Sequence, residues 1–156
     1  MQKKILLLVV FLFLTSCGYE AIHSKKNIII YNFSISEISF LGDRKVNLKI
    51  KEKLKNYTIS NNDKKFIIKI SSTSEKIALA KNTVGDTTSF KSIVSINVEV
   101  LMNNKFKNNL IISESFNYKN ATNKFDLKRY EREIKNNLAQ TVTDKLIFKL
   151  SNIQWY

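Results

Sequence analysis

The sequence predicts an α+β fold: a two-layer sandwich, a four-stranded sheet with two helices in the order β-α-β-β-β-α. Three observations carry that prediction. Apolar residues alternate with polar ones through three successive runs between Phe66 and Tyr118. They recur every three or four residues from Leu127 to Leu150, and every four from Val46 to Leu54. The first pattern has the period of a sheet with one buried side, and the other two have the period of a helix. Helices that stand beside a run of strands, rather than alternating with each, read as α+β.

The first residues stand apart from that fold. Lys3 and Lys4 precede Ile5 to Leu14, which holds no polar residue. A spanning helix needs about twenty apolar residues. A basic start, a short apolar middle and small residues at the end instead predict a secretory signal over residues 1–16. The only cysteine, Cys17, follows immediately. A lone thiol makes no intramolecular disulfide, and one ligand holds no structural zinc. Leu14-Thr15-Ser16-Cys17 resembles a bacterial lipobox. That resemblance implies attachment of diacylglycerol to the thiol, cleavage before Cys17 and acylation of the new amine. Several acyl chains anchor durably where one is marginal. Cys17 is therefore the expected lipidation site, and residues 17–26 the lipidated tether. Gly18, where aspartate would mark inner-membrane retention in diderm bacteria, favours the outer membrane.

Residues 27–156 are expected to form a single domain. Ile28 to Ile35, rich in β-branched and aromatic residues, predicts the first strand, and Leu41-Gly42-Asp43 breaks it. From Arg44, Val46, Ile50 and Leu54 form one stripe of a short amphipathic helix ending near Asn56-Tyr57. Phe66, Ile68 and Ile70 begin a second strand that runs on through Ile77 and Leu79. Asn82-Thr83-Val84-Gly85-Asp86 is turn chemistry, with Gly85 free to take positive φ. Phe90, Val94, Ile96, Val98 and Val100 share a face of the third strand, and Asn103-Asn104-Lys105 turns the chain. Leu110, Ile112, Phe116 and Tyr118 share a face of the fourth. Leu127, Tyr130, Ile134, Leu138, Val142, Leu146 and Leu150 then line a long helix, with Asn123 or Asp126 as its N-cap. The phase of that stripe puts Asn136 in solvent.

Composition bounds the function. The formal charge is +13, and removing a leader with two lysines and no acid leaves +11 on 140 residues. That surplus points to an anionic partner: nucleic acid, a lipid head group or an acidic protein face. The chain is also rich in Asn and Ile, so a proteome-wide bias accounts for the same surplus. Export argues against nucleic acid. Catalytic parts are missing from the pattern. The single His23 has no neighbouring acid or cysteine to complete a metal set, and no nucleophile elbow or glycine-rich phosphate loop occurs. Glu131 and Glu133 diverge on the last helix and read as solvated, balanced by Lys128, Arg129 and Lys135. No enzyme, cofactor or metal site is expected.

Taken together, the lipobox, the element order and the last helix resemble the lipopolysaccharide-assembly lipoprotein family LptE. Cys17-Gly18-Tyr19 is similar to that family's Cys-Gly-aromatic start. Ile77-Ala78-Leu79-Ala80-Lys81, the Gly85 turn and Ser95 to Leu101 resemble its central hairpin. Leu138 to Leu150, with Asp144-Lys145-Leu146, resembles the end of its last helix. The resemblance implies a non-enzymatic, lipid-anchored protein on the periplasmic side of the outer membrane. Such a protein plugs the large β-barrel LptD, helps it assemble and touches lipopolysaccharide. In that family basic residues between the second and third strands, and before the last helix, meet the lipid. The tip Thr83 to Asp86 has no arginine here. Lys81, Lys124 and Lys128 are the corresponding candidates. Two rivals remain: a basic lipoprotein serving another anionic partner or assembly machine, and a cytosolic RNA-binding domain. The second needs aromatics on an open sheet face, whereas Phe90, Phe116 and Tyr118 share faces with aliphatic residues.

Overall fold

The computed structural model of the chain describes residues 32–103 and 105–154. The leader, Cys17, His23 and the tether lie outside the described residues. Six elements follow the predicted order: β1 (Ser34–Gly42), α1 (Arg44–Ile59), β2 (Lys65–Lys81), β3 (Thr87–Met102), β4 (Lys105–Lys119) and α2 (Lys124–Ser151). The strands stand side by side in chain order. β1 runs parallel to β2, with α1 as the crossover, and β2, β3 and β4 form an antiparallel meander. α1 packs on β1 and β2, α2 on β3 and β4, and the two helices on each other. One continuous core lies between the helical layer and the sheet.

Asn32 and Phe33 precede the first strand, which runs on past the predicted Ile35. Of the expected run, Ile28 to Tyr31 lie outside the described residues, and β1 begins at Ser34. Its alternation is broken by a bulge: Ile35 pairs with Phe66, but Glu37, not Ser36, pairs with Ile67. The Ser36 hydroxyl donates to the Phe66 carbonyl instead, at 3.1 Å. Beyond the bulge Ile38 and Phe40 return to the core side. Leu41 and Gly42, expected to break the strand, are its last two residues. Gly42 has φ +91°, and a Cβ there would stand 1.9 Å from the Ser72 carbonyl oxygen. Glycine alone lets β1 stay paired to β2 while the chain turns into α1.

Asp43 makes that turn a joint. Its Oδ1 accepts the N–H groups of Lys45 and Val46, at 2.9 and 3.1 Å, capping α1. Its Oδ2 accepts from the Ser74 hydroxyl on β2 and from Lys135 Nζ on α2. Burial alone would raise the carboxyl's pKa. The hydrogen bonds from Ser74, Lys135 and the Val46 N–H, with the Lys135 charge, outweigh it and hold the group well below the usual carboxylate range.

Val46, Ile50 and Leu54 are fully buried, and Tyr57 continues the stripe, its ring stacked on Phe33 at 4.7 Å. Burying each aliphatic side chain stabilises the fold by about 1.5–3 kcal/mol. On α2 the predicted stripe is buried except Tyr130, but a second row lies beside it: Ala139, Thr143 and Ile147. That row exists because α2 has α1 at its side as well as the sheet beneath. Asn136 falls within about 20° of Thr143 on the helical wheel. It is half-buried, not in solvent. Phe116 also departs from expectation, at 47 % exposed. It lies on β4, at the rim of the sheet, where the core layer ends.

The far end of α2 closes with a buried cation. Lys64, 4 % exposed, donates to the carbonyls of Ser151 and Ile153 at 3.0 and 2.5 Å. Helix C-termini carry unpaired carbonyls and a negative partial charge, so an ammonium group stabilises them. Burial pushes the Lys64 pKa down.

Candidate functional site

The candidate site begins at the tip of the β2–β3 hairpin. Lys81, the last residue of β2, pairs with Thr87. Between them Asn82 organises the turn: its Oδ1 accepts the N–H groups of Val84 and Asp86, at 3.2 and 2.8 Å. Gly85 closes the turn at φ +90°, as its position predicts. The Val84 side chain is left 80 % exposed.

The chain leaving β4 returns to the foot of this hairpin. The Asn120 N–H donates to the Thr88 carbonyl and its side-chain amide to the Thr87 carbonyl, at 2.8 and 2.7 Å. Three residues later Asn123, one of the two predicted caps, starts α2 by accepting the N–H groups of Phe125 and Asp126. Asp126 takes the first turn instead, paired to Arg129. The fold thereby brings the three predicted lysines to one end of the sandwich. Lys81 stands at the hairpin's base, Lys124 at the first position of α2, and Lys128 one turn further on the same helix face. All three are exposed, and none forms an ion pair among the described residues. Lys119 joins them, since it ends β4 opposite Ser89. Sequence reasoning missed it because a strand-terminal lysine carries no signal until the strand order is known.

Two apolar side chains accompany these cations: Val84 at the tip and Phe125, 72 % exposed, in the first turn of α2. The N-terminal end of the helix dipole adds a positive partial charge there, which Asp126 of the same turn partly offsets. Ammonium groups beside exposed apolar side chains form a surface that can hold an anionic amphiphile by both of its ends.

Behind the site a polar brace fixes the hairpin to α2. Glu131, expected in solvent, accepts from Lys76 Nζ at 2.6 Å and from the Tyr118 hydroxyl at 3.0 Å. Lys76 also lies over the Phe90 ring, 3.8 Å from its centroid. Burial, then the Glu131 carboxylate, pushes the Tyr118 hydroxyl's pKa up. Lys135, likewise expected beside Glu133, is the Asp43 partner. These charges hold the fold and are not available to a ligand.

Among the described residues no group of three or more His, Cys, Asp or Glu is placed to hold a metal ion, and no helix is long and apolar enough to cross a membrane. No protein-family model and no curated protein sequence matches the chain. Solved structures do. Rare lipoprotein B from Shewanella oneidensis is similar over 74 % of this chain and 97 % of its own, at 12 % identity and a TM-score of 0.53. A protein from Caulobacter crescentus described as a lipoprotein is similar over 74 % of this chain and 88 % of its own, at 13 % identity and a TM-score of 0.50. At such identities the likeness is one of architecture: this chain has the fold of these two lipoproteins.

Proposed function

We propose that the chain is an outer-membrane lipoprotein, anchored through Cys17, that scaffolds and plugs an LptD-type barrel and assists lipopolysaccharide assembly on the periplasmic side. One observation carries the lipid half of the reading. The fold gathers Lys81, Lys119, Lys124 and Lys128 with exposed Val84 and Phe125 at one end, the chemistry a phosphorylated glycolipid requires. The plug half is supported by the sheet face away from the helices. Ser71, Thr73, Ser95, Asn97, Ser113 and Asn117 lie on it beside the exposed Ile77 and Ile111, and its small polar side chains suit the polar interior of a large barrel. The shared fold with two lipoproteins, together with the lipobox-like stretch, supports the anchor.

The test is affinity isolation of the full chain from detergent-solubilised envelopes, with mass spectrometry of the mature N-terminus. A large outer-membrane barrel recovered in stoichiometric amount, and a triacylated Cys17, are expected. Recovery of a different assembly machine overturns the barrel assignment in favour of another anionic partner. An uncut or unacylated N-terminus overturns the anchor. Cys17→Ser serves as the control that abolishes lipidation.

A further inference from the structure

At the opposite end of β4 and α2 from the basic site lies a second surface. β4 is an edge strand, and no described strand pairs with its outer side. Natural edges are blunted by bulges, prolines and charge, because their unpaired N–H and C=O groups template another strand. β4 is protected in this way only at its ends, by the register shift near Leu101 with Lys105 and Lys107 at its start and by Lys119 at its finish. From Asn108 to Lys119 the pairing is unbroken. Within that stretch the one acid, Glu114, is neutralised by Lys145 of α2, and Ile111 and Phe116 stay exposed.

Beside the start of this edge, between β4 and the last turn of α2, runs a groove of about 590 Å³. Leu110, Phe148 and Ile153 supply its apolar walls, and Lys107 and Lys149 line it as cations, with no acid side chain among the described residues that line it. Strand edge and groove are continuous through Leu110. A strand added to β4 would send alternate side chains toward the helical side, the side on which the groove opens.

We propose that the outer edge of β4 docks an extended strand from a partner protein. The strand's apolar side chains enter the groove and its acidic side chains face Lys107 and Lys149. Main-chain hydrogen bonds would supply affinity and the groove specificity, as in other strand additions. Charge argues against a second copy as the occupant. In a two-fold antiparallel pair centred on Ile112, Lys105 of each copy would stand opposite Lys119 of the other, and like charges directly opposite destabilise a sheet. The proposal does not depend on the barrel or lipid reading.

The experiment uses the lipidated chain in detergent and a short synthetic strand of alternating valine and threonine flanked by glutamates. Binding is followed by calorimetry and by emission of Trp155, the sole tryptophan, which follows the groove residue Gln154 in sequence. The glutamate-flanked strand should bind at least about tenfold more tightly than a lysine-flanked one. Lys107→Glu with Lys149→Glu should reverse that order, and the Gln variants should abolish it. Lys45→Glu with Lys51→Glu, exposed on α1, should leave it unchanged. Backbone N-methylation along one edge of the probe should abolish binding, and along the other edge should not. Equal sensitivity to both edges, or none to the Lys107 and Lys149 variants, overturns strand addition at β4. So does absence of binding in variants that keep the parent's melting temperature. A dimer in sedimentation that the probe cannot dissociate overturns it in favour of a second copy.

Discussion

Asp43 offers the sharpest test of how the fold is held, because four donors from three elements converge on one carboxylate. Asp43→Ala removes the α1 cap, which costs about 1 kcal/mol, within a range of roughly 0.5–2. It also removes charge-assisted hydrogen bonds from Ser74 and Lys135. Such bonds contribute about 1.5–3 kcal/mol where water is excluded. The pair is partly open to water, with side-chain exposures of 29 % for Lys135 and 21 % for Asp43, so the lower figure applies. The expected loss is about 4 kcal/mol, about 1 for the cap and 1.5 for each of the two bonds, or roughly 12–16 °C in melting temperature for a domain of this size. Asp43→Asn keeps a capping oxygen and loses the charge, so it should lose about half as much. The pH dependence fixes the cause. The carboxyl is held below its unfolded value, so its stabilisation is full above about pH 5. It is lost progressively as pH falls through the folded value. The gap between the parent and Asp43→Asn, read by chemical denaturation, should therefore be flat from neutral pH down to about pH 5 and close below pH 4. A gap unchanged at pH 3, or equal losses for both variants, would refute the convergence argument.

Three further outcomes follow from the packing and the charge. Leu138→Ala should cost about 2–5 kcal/mol by leaving a cavity. Gln140→Ala, exposed on the same helix, should change stability by less than about 0.5 kcal/mol. Gly42→Ala should destabilise by more than about 1–3 kcal/mol, since positive φ and a clash with the Ser72 carbonyl add. Gly85→Ala, with the same backbone but open space around it, should cost about 1–2 kcal/mol. Replacing Lys81, Lys124 and Lys128 with glutamate should weaken lipopolysaccharide binding well beyond one order of magnitude, each lysine contributing about 1 kcal/mol near an anionic surface. The matched control is Lys45, Lys51 and Lys55 on α1. Lys53 is unsuitable because it pairs with Asp144 of α2. Equal losses in surface-plasmon titrations of both triples would assign the effect to net charge.

What could be read from the chain divides along a physical line. β2, β3 and α2 declare themselves because each buries one continuous row of large apolar residues, and such rows have a period. β1 does not, since Ser36 and Glu37 interrupt it at a bulge and its parallel register is set by β2, far away in sequence. The second row of α2 was invisible because Ala139 and Thr143 are small or polar and become core only where α1 lies against them. Glu131 and Lys135 read as solvated charges for the same reason: each is bound by an element at least 55 residues away. The lysines of the candidate site were recognisable by position in a resembling pattern. Their convergence needed the return of Asn120 to the hairpin's foot.

The charge surplus takes on meaning once its partners are known. Acids on β4, α2 and the β1–α1 joint tie one element to another: Glu114 to Lys145, Glu131 to Lys76, Asp144 to Lys53 and Asp43 to Lys135. These four acids are spent on architecture, and Lys124 and Lys128 form no ion pair among the described residues. A proteome-wide drift toward lysine would scatter such residues over every open surface, and the exposed lysines of α1 fit that description. Exposed apolar side chains accompany cations there too: Leu41 and Leu48 stand with Arg44 and Lys51. Val84 and Phe125 leave apolar surface in water at the end of the molecule where Lys81, Lys119, Lys124 and Lys128 gather. Leaving each exposed forgoes about 1.5–3 kcal/mol of possible burial. Bias in composition accounts for the number of lysines, and the comparison of the two lysine triples in lipopolysaccharide titrations decides whether those at the hairpin's end serve a lipid.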